Sequence, residues 1–298
     1  MHRSVAGALT VAMMVVAVAG CDGAKGKPPA AVQQDPAQLI AELTRGISPS
    51  NPYRDPKADE RTTIRQAARA IADQDANGNR DRLFSDLGFV VHRGTDPATG
   101  RAFDMYIATG TDKRTWGAVL IDTTRKPGIV LEVPHTGFDL NTEKLGLALH
   151  REVDSSVLLV AGAHRQAAGG LGDVAHNDKS LFHLFATELA GKGLEQLQLH
   201  GYADKNLPDS EAVVSTGKAR VGPLAREVAD ALADAGVDIC RAWKRRCGEL
   251  EGKTNAQGRV ASLEGDQFVH VEMSYSIRRD PGSWDRLVPD LAARINEG

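Results

Sequence analysis

Three apolar runs in this chain end in, or contain, side chains that bind metals or transfer protons. The runs are Ile129–Val133, Leu194–Leu199 and Phe268–Met273. His135 and Asp139 follow the first run, His200 follows the second, and Glu272 lies inside the third between two apolar residues. Apolar, β-branched runs predict buried strands, and functional residues gather at the carboxyl ends of parallel strands. We therefore expect these four side chains to meet at one edge of a sheet.

Strand-like and helix-like patterns alternate from residue 129 to the end of the chain. The predicted strands are 129–133, 157–162, 194–200 and 268–274, with a further segment near 237–243. The predicted helices are 142–153, 179–192, 222–235 and 283–296. Before them come helices from residue 36 and over 57–73, then strands near 87–92, 103–108 and 116–123. This order predicts an α/β fold with a mixed, mostly parallel sheet flanked by helices, after a helical and β-rich N-terminal lead-in.

The first twenty residues have the pattern of an export signal. A short basic start precedes an apolar run that is too short for a spanning helix, and Val-Ala-Gly-Cys at 18–21 matches the box of bacterial lipoproteins. We predict a lipoprotein signal peptide over 1–20, lipidation at Cys21, a tether over 21–36 and a single α/β hydrolase-type domain over 37–298. An ordinary cleaved signal peptide is the alternative. The expected location is the bacterial cell envelope, outside the cytoplasm, with a lipid anchor in a membrane.

Charge and cysteine content narrow the choice of partners and bonds. The chain has 36 Lys and Arg against 39 Asp and Glu and only 5% aromatic residues, and it has no basic block, so nucleic acid is not an expected partner. Cys240 and Cys247 have six residues between them and no histidine nearby, which is poor spacing for zinc. Because an exported chain meets oxidising conditions, we predict a disulfide between them.

Two histidines and a carboxylate at strand ends have the composition of a hydrolytic zinc site. With His135, Asp139 and His200 as ligands, a tetrahedral zinc ion keeps one open position for water. Glu272 points away from its apolar neighbours and is costly to bury without a partner. A general base beside the metal would explain its position.

Other polar residues leave alternatives for the ligand set. The loop 173–178 contains Asp173 and His176; either could orient a ligand histidine or replace a ligand, and plain loop structure is the simpler interpretation. Glu143 is a further candidate for the second ligand.

Arg165 and Arg278 have two interpretations. Either could form a salt bridge with Glu272, which would make that glutamate structural. Either could instead bind a carboxylate of the substrate.

The order of these motifs resembles the zinc carboxypeptidase-like (phosphorylase/hydrolase-like) fold. The motifs are Pro-His-Thr-Gly at 134–137, His-Gly-Tyr at 200–202 and Val-Glu-Met-Ser-Tyr-Ser-Ile-Arg at 271–278. They are nearest to the N-formylglutamate amidohydrolases and poly-γ-glutamate hydrolases, and the resemblance covers about residues 129–280. It implies that His135, Asp139 and His200 are zinc ligands and Glu272 the general acid/base.

The resemblance also implies that Arg165 and Tyr202 lie near the substrate. One departure concerns the first two ligands, because a carboxypeptidase has His-x-x-Glu where this chain has His-x-x-x-Asp. The second ligand therefore stays open between Asp139, Glu143 and His176.

The sequence predicts an exported, membrane-anchored zinc hydrolase that cleaves a peptide, γ-glutamyl or N-acyl amino acid bond in a small amide or a cell-wall peptide. The alternative is a non-catalytic envelope lipoprotein that binds a ligand or partner through a degenerate site. A serine hydrolase using Ser215 or Ser274 is a third possibility. It is disfavoured because the chain has no Gly-x-Ser-x-Gly elbow.

Overall fold

A nine-stranded sheet is the centre of the computed structural model, which describes residues 34–297. Its strands are β1 (Phe89–Thr95), β2 (Ala102–Ala108), β3 (Ala118–Asp122), β4 (Ile129–Val133), β5 (Ser156–Val160), β6 (Glu195–Tyr202), β7 (Ala212–Ser215), β8 (Ile239–Arg241) and β9 (Phe268–Ser274). The predicted signal peptide, Cys21 and most of the predicted tether lie outside the described residues, so those predictions are untested.

Helices cover both faces of the sheet. They are α1 (Pro36–Thr44), α2 (Ala58–Ala72), α3 (Asn77–Asp86), α4 (Thr142–Glu152), α5 (Leu181–Ala190), α6 (Pro223–Asp234), α7 (Ala256–Glu264), α8 (Tyr275–Arg279) and α9 (Pro281–Glu297). Apolar residues of α1, α4, α6 and α9 pack in one core, and those of α2, α3 and α5 pack in a second core on the other face. Within residues 34–297, no helix has the length and hydrophobicity needed to span a bilayer.

The sheet is mixed, with its parallel strands in the middle. The strand order is β1-β2-β3-β5-β4-β6-β9-β7-β8. β5, β4, β6 and β9 are parallel to their neighbours within this group, as is the edge pair of β7 and β8, and the other pairs are antiparallel. Every residue of β4 and β5 is buried, as expected for parallel strands between two helical layers. The predicted α/β class is confirmed.

The strand order reverses at β4, which has β5 on one side and β6 on the other. The connections to these two neighbours run through α4 and α5, which pack in opposite cores. In open α/β sheets such a reversal leaves a crevice at the carboxyl end of the strands. His135 follows β4 at this point.

Some elements were not predicted. The β-rich lead-in is an antiparallel extension of the same sheet, because β3 pairs with β5. The helices α3 and α7 were missed because both contain glycine and many polar residues, which weaken a helical pattern. β7 was missed because it has only four residues.

The disulfide between Cys240 and Cys247 is present, as predicted. Both sulfurs belong to residues that are 1% exposed and pack against Val213 of β7. The bond therefore ties the end of β8 to the loop after it, in a small core of its own.

Candidate metal centre

A tight turn after β4 brings Asp139 back onto His135. The amides of Phe138 and Asp139 both donate to the carbonyl oxygen of His135, at 3.1 and 2.9 Å. Gly137 permits the turn with a φ of +76°, and a Cβ there would lie 2.7 Å from Ile47. As a result, Asp139 Oδ2 lies 3.2 Å from His135 Nδ1, so four-residue spacing is compatible with a shared metal.

His200 completes a triangle of donor atoms. It extends from β6, the parallel neighbour of β4, and its Nδ1 lies 3.1 Å from His135 Nδ1 and 3.3 Å from Asp139 Oδ2. All three side chains are at most 3% exposed. In a tetrahedral zinc site with bonds of ~2.0–2.1 Å, ligand atoms are ~3.3–3.4 Å apart. The three donors therefore have the spacing of one face of such a site.

Oxygen acceptors fix the tautomers of both histidines. His135 Nε2 lies 2.8 Å from Asp173 Oδ1, and His200 Nε2 lies 2.6 Å from the side-chain oxygen of Gln198. Because both oxygens can only accept in these bonds, each Nε2 carries the proton. When both rings are neutral, the two Nδ1 lone pairs therefore face each other and the Asp139 carboxylate. Such a donor set fits a bound cation.

Charge and burial oppose each other within this cluster. Burial lowers the pKa of His200 to about 4. Burial also acts to lower the pKa of His135, but hydrogen bonds to Asp139 and Asp173 outweigh it and raise that pKa. The pKa of Asp139 is lowered because its two histidine contacts outweigh the effect of burial. The carboxylate is thus ionised and His200 neutral, which are the forms that bind a metal.

Glu272 lies beside this triangle without a partner of its own. It is opposite His200 in the pairing of β6 with β9, and one of its oxygens lies within 4.8 Å of ring nitrogens of His200 and His270. Its Oε2 is buried and forms no hydrogen bond to any described residue. Burial, and then the charge of Asp139, raise its pKa to about 8.

The salt bridge that was the structural alternative for Glu272 is not formed among the described residues. Among the ion pairs of residues 34–297, neither Arg165 nor Arg278 pairs with Glu272. Arg165 donates instead to Asp173 Oδ2, at 2.6 Å, and lies 5.0 Å over the ring of Phe138. Arg165 still borders the cleft above the donor triangle. The volume of this cleft is about 530 Å³.

Arg278 and Tyr202 both line the cleft and also hold its wall together; their expected contact with substrate stays a prediction. The Arg278 guanidinium donates to the carbonyl oxygens of Met273 (3.1 Å), Tyr202 (3.0 Å) and Leu140. The Tyr202 hydroxyl donates to the carbonyl oxygen of Ser210. Both residues border the cleft, but their polar atoms are taken by the backbone.

Among the remaining ligand alternatives, Glu143 lies apart from the triangle, whereas Asp173 and His176 form a second candidate metal group with His135. Glu143 is on α4 and borders a separate pocket with Ile40 and Trp284, so the structure does not place it with the other candidate ligands. His176 Nδ1 lies 2.9 Å from Asp173 Oδ1, and its Nε2 lies 3.1 Å from Thr254 Oγ1. Asp173 therefore joins His176 to His135, and the roles of both loop residues stay predictions.

Two buried residues near the centre were missed by sequence reasoning. Gln198 accepts the hydrogen bond from His200 Nε2 and donates to Glu132 Oε2, at 2.7 Å. Both are fully buried. The available signal was a glutamate or glutamine inside an otherwise apolar strand, which requires a buried partner.

No protein-family model and no curated protein matches this chain. Similar solved structures include a bacteriophage poly-γ-glutamate hydrolase, 17% identical over 57% of this chain and 82% of its own, with a TM-score of 0.37. A zinc-free YndL is 18% identical over 65% of this chain and 75% of its own, with a TM-score of 0.36. The LapA aminopeptidase of Legionella pneumophila is 12% identical over 88% of this chain and 70% of its own, with a TM-score of 0.43.

The first of these structures belongs to one of the two groups that the sequence motifs resemble. The expected resemblance is thus found among solved structures, as a likeness. Because the identities and TM-scores are low, these likenesses assign neither an activity nor a substrate to this chain.

The donor triangle predicts a metal content that can be measured directly. The purified protein, supplied with zinc and then desalted, should retain about one zinc ion per chain by elemental analysis. His135→Ala and His200→Ala should each lose the zinc ion, because the two ligands that remain bind it weakly. His92→Ala is the matched control, since His92 is on β1 and belongs to no group of candidate ligands. A folded protein that retains no metal would refute the centre.

The backbone contacts of Arg278 predict a structural role. Arg278→Met should lower the free energy of unfolding by about 3 kcal/mol, because three buried carbonyl groups lose a charged donor. Arg279→Met is the control, because the side chain of Arg279 is exposed. This substitution should change the free energy of unfolding by less than about 0.5 kcal/mol. Denaturant unfolding measures both. Equal stability of the two variants would contradict the assignment.

Proposed function

We propose that this protein is an exported, membrane-anchored, zinc-dependent hydrolase that cleaves an amide bond. The observation that carries the proposal is the buried triangle of His135, Asp139 and His200 beside the unpaired carboxylate of Glu272, all open to one cleft. The substrate class is a peptide, γ-glutamyl or N-acyl amino acid amide, either as a small molecule or as a cell-wall peptide.

The donor set suits a zinc ion, with His135, His200 and Asp139 as ligands. When bound, zinc would supply Lewis acidity toward a carbonyl oxygen and lower the pKa of water. Glu272 is the proton acceptor in this scheme, because its Oε2 has no competing partner among the described residues. A cation in the triangle favours the ionised form of Glu272 and so opposes the effect of its burial. The same carboxyl group then returns the proton to the leaving amine.

Asp173 and Arg165 act around the site in this proposal. Asp173 holds His135 in the tautomer that presents Nδ1. Arg165 borders the cleft with its guanidinium partly exposed, where it can contact the carbonyl or carboxylate of a substrate.

Export and anchoring are proposed from the sequence. The Val-Ala-Gly-Cys box at 18–21 supports lipidation of Cys21 and attachment to a membrane. The disulfide between Cys240 and Cys247 is consistent with an oxidising compartment. A protein in that location meets cell-wall peptides, which is why they are included in the substrate class.

The two competing functions receive less support. In the serine hydrolase alternative, Ser215 Oγ donates to the carbonyl oxygen of Glu251, and Ser274 accepts from the amide of Ile277 at the start of α8. Neither serine borders the cleft. In the non-catalytic alternative, nothing would require an unpaired glutamate beside the donor triangle.

Substitution of the proposed proton acceptor tests the catalytic scheme. Glu272→Gln should keep the zinc content and lower kcat by about 10²–10⁴-fold, since it removes a general base. Glu249→Gln is the matched control, because Glu249 borders the same cleft but belongs to no candidate ligand group. Hydrolysis of N-acyl-glutamate, γ-glutamyl and muropeptide amides by zinc-loaded and chelator-treated protein provides the measurement. Amide hydrolysis that survives both Glu272→Gln and the chelator would overturn the proposal.

A further inference from the structure

A chain of buried polar side chains lies directly beneath the donor triangle. Glu132 on β4 and Gln198 on β6 are opposite each other in the parallel pairing of these strands, two residues before His200 on the same sheet face. Asn255 and Gln257, at the start of α7, complete this row of hydrogen-bonded side chains. All four residues are at most 2% exposed.

The hydrogen bonds of Gln198 have one consistent direction. Its amide nitrogen donates to Glu132 Oε2, at 2.7 Å. Its oxygen accepts from His200 Nε2, at 2.6 Å, and from the amide nitrogen of Asn255, at 2.5 Å. If the amide were rotated by 180°, its nitrogen would face the side-chain nitrogen of Asn255, which is a donor. Glu132 therefore orients Gln198, and Gln198 in turn orients His200.

Asn255 fixes the same amide from the other side. Its oxygen accepts from the backbone amide of Gly258, at 3.0 Å, as the N-cap of α7. Its side-chain nitrogen must then face Gln198. Two independent partners, one on a strand and one at a helix start, thus hold the Gln198 oxygen toward His200.

We propose that Gln198, oriented by Glu132 and Asn255, is a positioning residue that holds His200 in the Nε2–H tautomer and so keeps Nδ1 free to bind the metal. The inference rests on the proposed metal centre and names the residues that support it. Without the Gln198 acceptor, the neutral ring can carry its proton on Nδ1, which is then directed at the donors of the triangle and blocks binding.

Packing alone does not explain why Glu132, a member of this row of polar side chains, is buried. Every other residue of β4 is apolar, and Glu132 Oε1 forms no hydrogen bond within the described part of the chain. Burying a carboxyl group with one unpaired oxygen costs free energy that packing does not recover. We infer that the residue is kept for its hydrogen bond. Its one strong contact is with the residue that contacts His200.

The neighbouring glutamine provides a matched control. Gln196 and Gln198 are both buried on β6, two residues apart, and therefore lie on the same face of the sheet. Only Gln198 contacts His200. Gln198→Met and Gln196→Met remove the same amide and conserve nearly the same volume.

The test combines zinc affinity with the tautomer of His200 in the metal-free protein. Gln198→Met should lower zinc affinity by about 10–100-fold, measured by competition with a chromophoric chelator, and Gln196→Met should leave it within about twofold. Nitrogen-15 NMR of the imidazole rings should show His200 as Nε2–H in the metal-free parent protein and in Gln196→Met. In Gln198→Met it should show a substantial Nδ1–H population.

The outcomes separate this inference from the proposed function. A parent protein that binds no zinc refutes the metal centre, while the tautomer measurement still decides the role of Gln198. An unchanged His200 tautomer in Gln198→Met, with unchanged zinc affinity, overturns the inference and leaves the hydrolase proposal in place. If Gln198→Met does not fold, Gln198→Leu replaces it, because this change removes the same acceptor from His200 and suits the interior of a strand. An unchanged His200 spectrum in that variant would also overturn the inference.

Discussion

The meeting of three possible metal-donor atoms at one buried point is the constraint on which the rest of this site depends. His135 Nδ1, His200 Nδ1 and Asp139 Oδ2 lie 3.1–3.3 Å apart in a buried position, and the Nε2 protons of both rings are directed away to oxygen acceptors. When both rings are neutral, their lone pairs and the carboxylate repel one another at this distance in a low-dielectric environment. The surrounding chain holds them together at a cost that a bound cation would offset.

The fold supplies the rigidity that this arrangement needs. The triangle lies where the strand order reverses at β4, so His135 follows one of two adjacent parallel strands and His200 lies within the other. Asp139 comes from a turn, but two hydrogen bonds to the His135 carbonyl oxygen close that turn. Arg278 stabilises the wall of the cleft, because it donates hydrogen bonds to the carbonyl oxygens of three separate segments. Its fit against Gly201 is close enough that a Cβ there would overlap the guanidinium.

The sequence predicted the parts of the site that depend on strand ends, and missed those that depend on tertiary contacts. His135 and His200 could be placed together because each follows an apolar run, and the carboxyl ends of parallel strands meet at one edge. The backbone contacts of Arg278 and Tyr202 could not be predicted in this way. Whether a polar side chain is free depends on which carbonyl oxygens lie nearby, and these come from segments as distant as Leu140. The polar, glycine-containing helices α3 and α7 were missed because their local pattern is weak.

Glu132 and Glu272 both lie in the middle of apolar strands. Their surroundings, and not their pKa values, distinguish the roles that we propose for them. Burial raises the pKa of Glu132 and of Glu272 to about 8 in both cases. Glu272 lines the open cleft, and its buried Oε2 has no hydrogen-bond partner among the described residues, so this carboxyl group can exchange a proton with a molecule that enters. Glu132 is sealed from that cleft and contacts Gln198, so it can act only by orienting its neighbour. A raised pKa alone does not distinguish the two residues; access to the cleft is why we propose proton transfer for Glu272 and support of His200 for Glu132.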